Sequence, residues 1–475
     1  MEEYALEMEG SVSLRVKKGT VHAVLTENSM EAERLTALLT GLIPLRGGKI
    51  RLNGNEAVFH SPHDALAQGV GAVYRRGGMA EGMTLLDHVR LASGMPAGRK
   101  RARAAAEAMA EKYGLKTEWD IPAEEMLSGD RFRGELLRLI LEEPDILILE
   151  EPASRLTVLE MEETEKLLRR LTLEGKTVLI MTSGPETAAL ADERTVPGDT
   201  REWGKALPPL DRREIAVGSV TLEVRNLTVD GPRRGQRELR AISFEARTGE
   251  ITAVTGMPGS GQKPLAAALT GMTPLALGRI RLNGQDITGT SVGERTRLGI
   301  GFAPGMDFNF GFSRGKSAAE NMALRRYRDP LFQENGFQRR REMRRYADIL
   351  VDWEEFPDAR DLDDLTPAEK QRCAFSREME KNPDLLIALN PGEGMNRREA
   401  REIHNRLMTL RNSRRAVLMI NEDPREAFEA ADRILVLRQG ELVGEFEREF
   451  TTLQELGLYM TGDRWKSREE TFDEE

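Results

Sequence analysis

The sequence predicts an α/β fold, built twice, with a parallel sheet at the core of each half. Three observations predict it. Short apolar runs, ILIL at 146–149 and LLIAL at 385–389, are of the kind that strands buried on both faces show. Strand-like and helix-like stretches alternate, as where ITAVTG (251–256) leads into PLAAALTG (264–271), and such alternation argues helices packed on a parallel sheet. The chain also repeats itself. KGTVHAVLTENSM (18–30) is echoed by TGEITAVTGMPGS (248–260), and GGKIRLNG (47–54) by LGRIRLNG (277–284), both at an offset of 230 residues. PDILILEEP (144–152) is matched by PDLLIALNP (383–391), and TVLIM (177–181) by AVLMI (416–420), at an offset of 239. This period is too long for a solenoid and marks two homologous domains.

The order of elements is the same in each half. A β-rich segment leads into a loop and a helix, and a hairpin-like stretch ending in RLNG follows. A charged helical middle comes next, for example RKRARAAAEAMAEKYG (99–114), then two apolar strands and a helix. The border falls in GDTREWGKALPPLDRREIAVG (198–218), which is polar, carries Pro208 and Pro209 and lacks periodicity. The expected organisation is a first domain over 1–205, a linker over 206–218, a second domain over 219–463 and an acidic tail over 464–475.

Composition narrows the function classes. The chain has 475 residues, 39% hydrophobic and 31% charged, which fits folded domains rather than disorder. The net charge of −10 disfavours nucleic acid as a partner. The basic clusters GPRRGQR (231–237) and RRREMRRY (339–346) read as solvated surface. Cys373 is the single cysteine, so no internal disulfide forms, which fits a reducing compartment. MEEYALEMEG at the start lacks the basic and apolar regions of a signal peptide. No apolar run approaches the roughly 18 residues a membrane helix needs.

The residues of the second half carry a resemblance. EVRNLTV (223–229), SFEARTGEI (243–251), the loop GMPGSGQ (256–262), LTGM (269–272), RLNGQDIT (281–288), AENM (319–322), NPDLLIA (382–388) and DRILVLRQGELVGE (432–445) stand in one characteristic order. The chain resembles the tandem ATP-binding-cassette subunits of bacterial sugar and nucleoside importers over nearly its whole length. The resemblance implies two P-loop NTPase-like domains, each a mixed sheet with a helical subdomain and an antiparallel β subdomain. It implies ATP and magnesium as ligands and integral membrane permease subunits as partners. It also implies an extracytoplasmic solute-binding protein as an indirect partner, and a peripheral place on the inner face of the cell membrane.

The motifs depart from that pattern. A phosphate loop needs glycines so that backbone amides can wrap phosphate oxygens, and a lysine to meet the terminal phosphates. In the second half Gly256, Gly259, Ser260 and Gly261 keep the loop, but Gln262 takes the lysine position. Lys263 follows one residue late, turned about 100° around the helix. These six residues, with Thr366 in the second signature region DLTPAEKQR (364–372), are the candidate nucleotide-binding residues. Pro367 and Ala368 replace that region's glycines.

In the first half, Thr26, Ser29 and Glu31 stand at the glycine positions, Ala32 at the lysine and Glu33 at the magnesium-binding hydroxyl. Arg75 stands for the glutamine that contacts magnesium, and Ser183 for the switch histidine. Ser128 and Gly129 survive from the signature loop. A strand and an adenine-stacking aromatic between YALEMEG and SVSLRV are expected to be missing. Glu150 replaces the magnesium-linked aspartate, and Glu151 holds the general-base position, which makes it the one catalytic candidate. The competing reading, favoured without a phosphate loop, is two acids at a strand end facing solvent. No metal-binding residue is assigned.

The expected function is therefore a cassette subunit of a simple-sugar or nucleoside importer with weak or lost ATP hydrolysis. ATP and magnesium both remain open as ligands. The alternative is a pseudo-ATPase scaffold or regulator of a transporter or of another cassette subunit. A ribosome-acting tandem cassette is disfavoured, because that class keeps both phosphate loops intact and uses a long charged linker, and neither feature is present here.

Overall fold

A computed structural model gives the architecture. It describes residues 3–462, apart from 11, 76–77, 81, 93–97, 116, 124–125, 127, 198–206, 208, 232–236, 306–310, 314, 328, 335–336, 354–364, 366 and 394. The chain divides into two compact units, Met1–Ala206 and Leu207–Glu475.

The first unit holds strands β1 (Tyr4–Glu9), β2 (Leu14–Lys17), β3 (Val21–Leu25), β4 (Lys49–Leu52), β5 (Asn55–Ala57), β6 (Val70–Val73), β7 (Ile146–Glu150), β8 (Thr177–Thr182) and β9 (Glu193–Thr195). Its helices are α1 (Ser29–Leu39), α2 (Pro62–Ala67), α3 (Leu85–Val89), α4 (Arg99–Tyr113), α5 (Ser128–Leu141), α6 (Val158–Leu173) and α7 (Pro185–Ala188). The core sheet runs β6-β7-β8-β3-β9, all parallel. Strands β3, β7 and β8 are buried at every position, which is why they read as unbroken apolar runs rather than as alternation. A separate antiparallel sheet runs β2-β1-β4-β5. Between β6 and β7, helices α3, α4 and α5 enclose their own core of Leu85, Leu86, Val89, Trp119 and Leu137.

The second unit repeats the plan with β10 (Val220–Asp230), β11 (Arg237–Arg247), β12 (Ile251–Thr255), β13 (Leu277–Leu282), β14 (Gln285–Asp286), β15 (Ile300–Ala303), β16 (Gln333–Glu334), β17 (Phe337–Gln338), β18 (Leu385–Leu389), β19 (Ala416–Asn421), β20 (Arg433–Arg438) and β21 (Glu441–Glu447). Its helices are α8 (Gln262–Thr270), α9 (Val292–Arg297), α10 (Ala318–Ala323), α11 (Arg340–Trp353), α12 (Pro367–Met379), α13 (Arg397–Asn412), α14 (Pro424–Ala430) and α15 (Leu453–Thr461). The core sheet runs β15-β18-β19-β12-β20-β21, parallel except for β21, which lies antiparallel on β20. The antiparallel sheet runs β11-β10-β13-β14.

The repeat offsets carry over to the strands. β3 and β12 lie 230 residues apart, and β7 and β18, like β8 and β19, lie 239 apart. Both RLNG stretches end in two-residue hairpins with left-handed Asn and Gly: Asn53 (φ 49°) with Gly54 (φ 82°), and Asn283 (φ 49°) with Gly284 (φ 80°). That is the turn Asn-Gly favours.

One expectation is corrected. Among the described residues the two antiparallel sheets have four strands each, so the first lacks no strand that the second has. The pair β1–β2 is instead cut short, spanning 4–17 where β10–β11 spans 220–247. The stretch after Pro208 has no helix or strand. It is tied to the second unit by Arg212, which donates to the Asp432 carboxylate and the Ala430 carbonyl, and by Arg411, which donates to the Arg213 carbonyl at 2.7 Å.

Candidate functional site

In the second unit the loop between β12 and α8 keeps its six residues, 256–261. Gly259 (φ 87°) and Gly261 (φ 118°) are left-handed, so the path is one that side-chain-bearing residues resist. Gly256 has a packing reason as well, because a β-carbon there would sit 2.0 Å from the Leu437 carbonyl oxygen. Ser260 is buried, its N–H donating to the Met257 carbonyl at 3.0 Å and its carbonyl accepting from Gly440 N–H at 2.8 Å. The helix that follows has no side-chain cap and no acid in its first turn. Its positive end is therefore not neutralised by its own first turn, which suits an anion.

Gln262, at 1% exposure, does not reach out as a phosphate lysine would. Its Nε2 donates to the Gly256 carbonyl at 2.7 Å and the Met257 carbonyl at 3.1 Å, closing the loop from within. Its Oε1 is buried with no hydrogen-bond partner. Lys263 is exposed on the helix surface. Thr366 lies outside the described residues. Pro367 heads α12, Ala368 is buried, and Gln371 donates to the Pro304 carbonyl at 3.1 Å.

The equivalent loop of the first unit is gone. Under the 230-residue offset, α8 starts at the counterpart of residue 32, but α1 starts at Ser29. Three loop residues have become helix. Asn28 caps it by accepting the Glu31 N–H at 3.0 Å, and the Glu31 carboxylate reaches back to Glu27 N–H at 2.8 Å. The chain's own oxygens thus take amides that a phosphate would need. Ala32 is fully buried. The four-residue spacing Asn-x-x-Glu was legible as a helix start, but the reading of Glu31 as a lost glycine passed over it.

The two acids after β7 are both buried, Glu150 at 2% and Glu151 at 6% exposure. The expectation of solvent-facing acids is overturned, because the strand they follow lies inside the core sheet, paired with β6 and β8. Burial, reinforced by the neighbouring Glu33 charge, pushes Glu150 up to about 7. Arg75 opposes this with its charge and a backbone N–H to the Glu150 carboxylate. The Arg75 guanidinium also lies 3.9 Å from Glu33.

Glu151 is left-handed (φ 43°). Its carboxylate accepts from Thr182 Oγ1 at 3.1 Å, Ser183 N–H at 2.7 Å and Ser183 Oγ at 2.6 Å. Asn390 repeats this geometry, with φ 43° and Oδ1 accepting from Glu422 N–H at 3.1 Å. Both residues clamp a strand end to the start of the next loop. In the first unit, the surviving Gly129 packs on α6, where a β-carbon would lie 2.2 Å from Glu160 Oε1. Arg133 bridges Glu160 at 2.7 Å and Asp130 at 2.6 Å across the same corner.

These sites do not fit a magnesium–nucleotide complex. In the second unit, Lys263 holds the place of the magnesium-binding hydroxyl and buried Leu389 that of the magnesium-linked acid, the counterpart of Glu150. Neither can ligate magnesium. The first unit has acids but no amide cradle. The loop at 256–261 keeps the left-handed glycines and the uncapped helix start that suit a phosphate chain.

Comparison with known proteins agrees with this architecture. The family model for ABC transporter matches twice, over residues 10–154 and 239–391. The chain is 31% identical to the nucleoside import ATP-binding protein NupA of Lactococcus lactis, over 95% of this chain and 94% of that protein. It is 30% identical to the guanosine import ATP-binding protein NupO of Bacillus subtilis, over 96% and 94%. It is 27% identical to a glucose import ATP-binding protein of Haloferax volcanii, over 95% and 92%.

Proposed function

The chain belongs to the ABC transporter family, and from that premise we propose that it is the cassette subunit of a simple-sugar or nucleoside importer that has lost ATP turnover of its own. Likeness along the whole length to import ATP-binding proteins supports the importer role. In this reading the subunit docks on membrane permease subunits and serves a solute-binding protein through them. It lies peripherally on the inner face of the membrane. Among the described residues, no helix is long and apolar enough to cross one.

The self-capped first loop is the observation that carries the loss of turnover. Asn28 and Glu31 satisfy amides that nucleotide would take, and Glu33 and Glu150 would add like-charge repulsion. We assign nucleotide binding, without magnesium, to Gly256, Gly259, Ser260, Gly261 and the first turn of α8, and keep Thr366 of the signature region as a candidate contact to nucleotide held by a facing cassette. Glu151 holds β7 to the loop after β8, and its three donors leave it poorly placed to take a proton from water. The second reading, a scaffold beside an intact cassette subunit, is favoured by the pairing of Asn390 with a magnesium-blind loop. The test is steady-state phosphate release by the purified chain with and without its permease. Release at background level in both cases is expected. Magnesium-dependent turnover by clean protein would overturn the loss of hydrolysis.

A further inference from the structure

The segment RRREMRRY lies at the surface of the second unit. It forms the first turns of α11, a 14-residue helix in the second unit. Arg341 and Arg345 are exposed on the side away from the buried Ala347 and Leu350, while Arg340 and Arg344, also exposed, lie nearer the buried edge, with exposed Asp348 one turn on from Arg344. Arg345 pairs with Glu342 at 3.3 Å, but Arg340, Arg341 and Arg344 make no ion pair among the described residues. Cations at the start of a helix oppose its dipole, at about 0.3–1 kcal/mol each. On α4 of the first unit, by contrast, Arg99 is held by Asp87 and Asp120, and Arg103 by Glu107 and Asp120.

Large apolar groups stand exposed in the same stretch of chain. Phe337 is 78% exposed on β17, three residues before the helix starts, and Leu331 is 65% exposed on the turn that precedes β16. Ile349, 63% exposed, lies on α11 itself. The platform beneath is fixed. Phe332 packs on Tyr346 with ring centroids 5.3 Å apart, and Arg326 lies 5.0 Å over the Tyr346 ring while pairing with Glu380 at 2.5 Å.

We propose that this face of α11, with Phe337 and Leu331, is a docking surface for an anionic lipid bilayer. Unpaired arginines attract anionic headgroups, and an exposed aromatic in the same stretch of chain enters the headgroup–acyl boundary. An acidic protein segment would use the charges but not the protruding Phe337 and Leu331. The rest of a chain of net charge −10 is repelled by the same surface, so contact is confined to this face. The acidic run 354–364 comes only after the helix ends at Trp353. This inference stands on the second unit alone and does not require the transport reading.

The test is co-sedimentation of the full-length protein with vesicles of phosphatidylcholine, with and without 30% phosphatidylglycerol. Binding is expected only to the anionic vesicles, and release at about 1 M salt, where the screening length is about 3 Å. The variant R340Q/R341Q/R344Q should bind on the order of 100-fold more weakly, at roughly fivefold per arginine. It should unfold at the same temperature or slightly higher, since the helix start loses cations. Phe337→Ala should weaken binding about tenfold. Equal binding to neutral vesicles, no binding to anionic ones, or an unaffected triple variant would overturn the proposal. So would retention on heparin without vesicle binding, which would assign the face to an acidic polymer.

Discussion

Glu150 shows how one side chain records the change of use in the first unit. An acid pushed up to about 7 by burial is ionised more easily in the unfolded chain, where its value is near 4.5. It therefore costs stability as pH rises from about 4.5 through 7, and nothing below that window. A shift of this size corresponds to roughly 3 kcal/mol at full ionisation. Glu150→Gln should stabilise the first unit by up to that amount at pH 8 and leave it unchanged at pH 4, read by denaturant unfolding at the two pH values. In the second unit Gln262 is the informative residue. Gln262→Lys places a cation where the amide now closes the loop and should tighten ATP binding about tenfold or more by calorimetry. Lys263→Ala, on the outer face of the helix, should change it by no more than a few fold.

At the scale of elements, the two loop–helix units differ in where the helix begins. α1 starts three residues early because Asn28 and Glu31 supply a cap, whereas α8 starts after an uncapped Gly261. Asn28→Ala should cost about 1 kcal/mol of stability and leave nucleotide binding untouched, because the first loop takes no part in it. The far end of α8 is held by Arg295. This buried guanidinium donates to the Ala268 and Leu269 carbonyls, both at 2.7 Å, and to the Thr288 carbonyl at 3.0 Å. Arg295→Ala leaves those carbonyls unsatisfied and should cost about 2–4 kcal/mol, seen as a lowered unfolding midpoint of the second unit. Strand positions were legible in the sequence, because a strand buried on both faces announces itself as an apolar run, and the Asn-Gly turns announce the hairpins. The caps of α1 were legible too, in Asn-x-x-Glu. The inward turn of Gln262 was not, since a glutamine's direction depends on which carbonyls the fold brings near it. Nor was the burial of Glu150 and Glu151, which depends on the layers packed over the strand end.

At the scale of the whole molecule, two units of one ancestry keep the scaffold and divide the losses. The first has acids without a cradle, and the second a cradle with neither an acid at the magnesium-linked position nor a lysine at the phosphate position. Neither assembles phosphate grip, magnesium ligands and a free base together. The proposed phosphate binding belongs to the second loop and owes nothing to magnesium. Calorimetric titration of the purified full-length protein with ATP, with and without magnesium, tests this most directly. The account predicts a single weak site, unchanged or tightened when magnesium is withheld and abolished by Gly259→Asp. Binding that requires magnesium, or that survives Gly259→Asp, would contradict it.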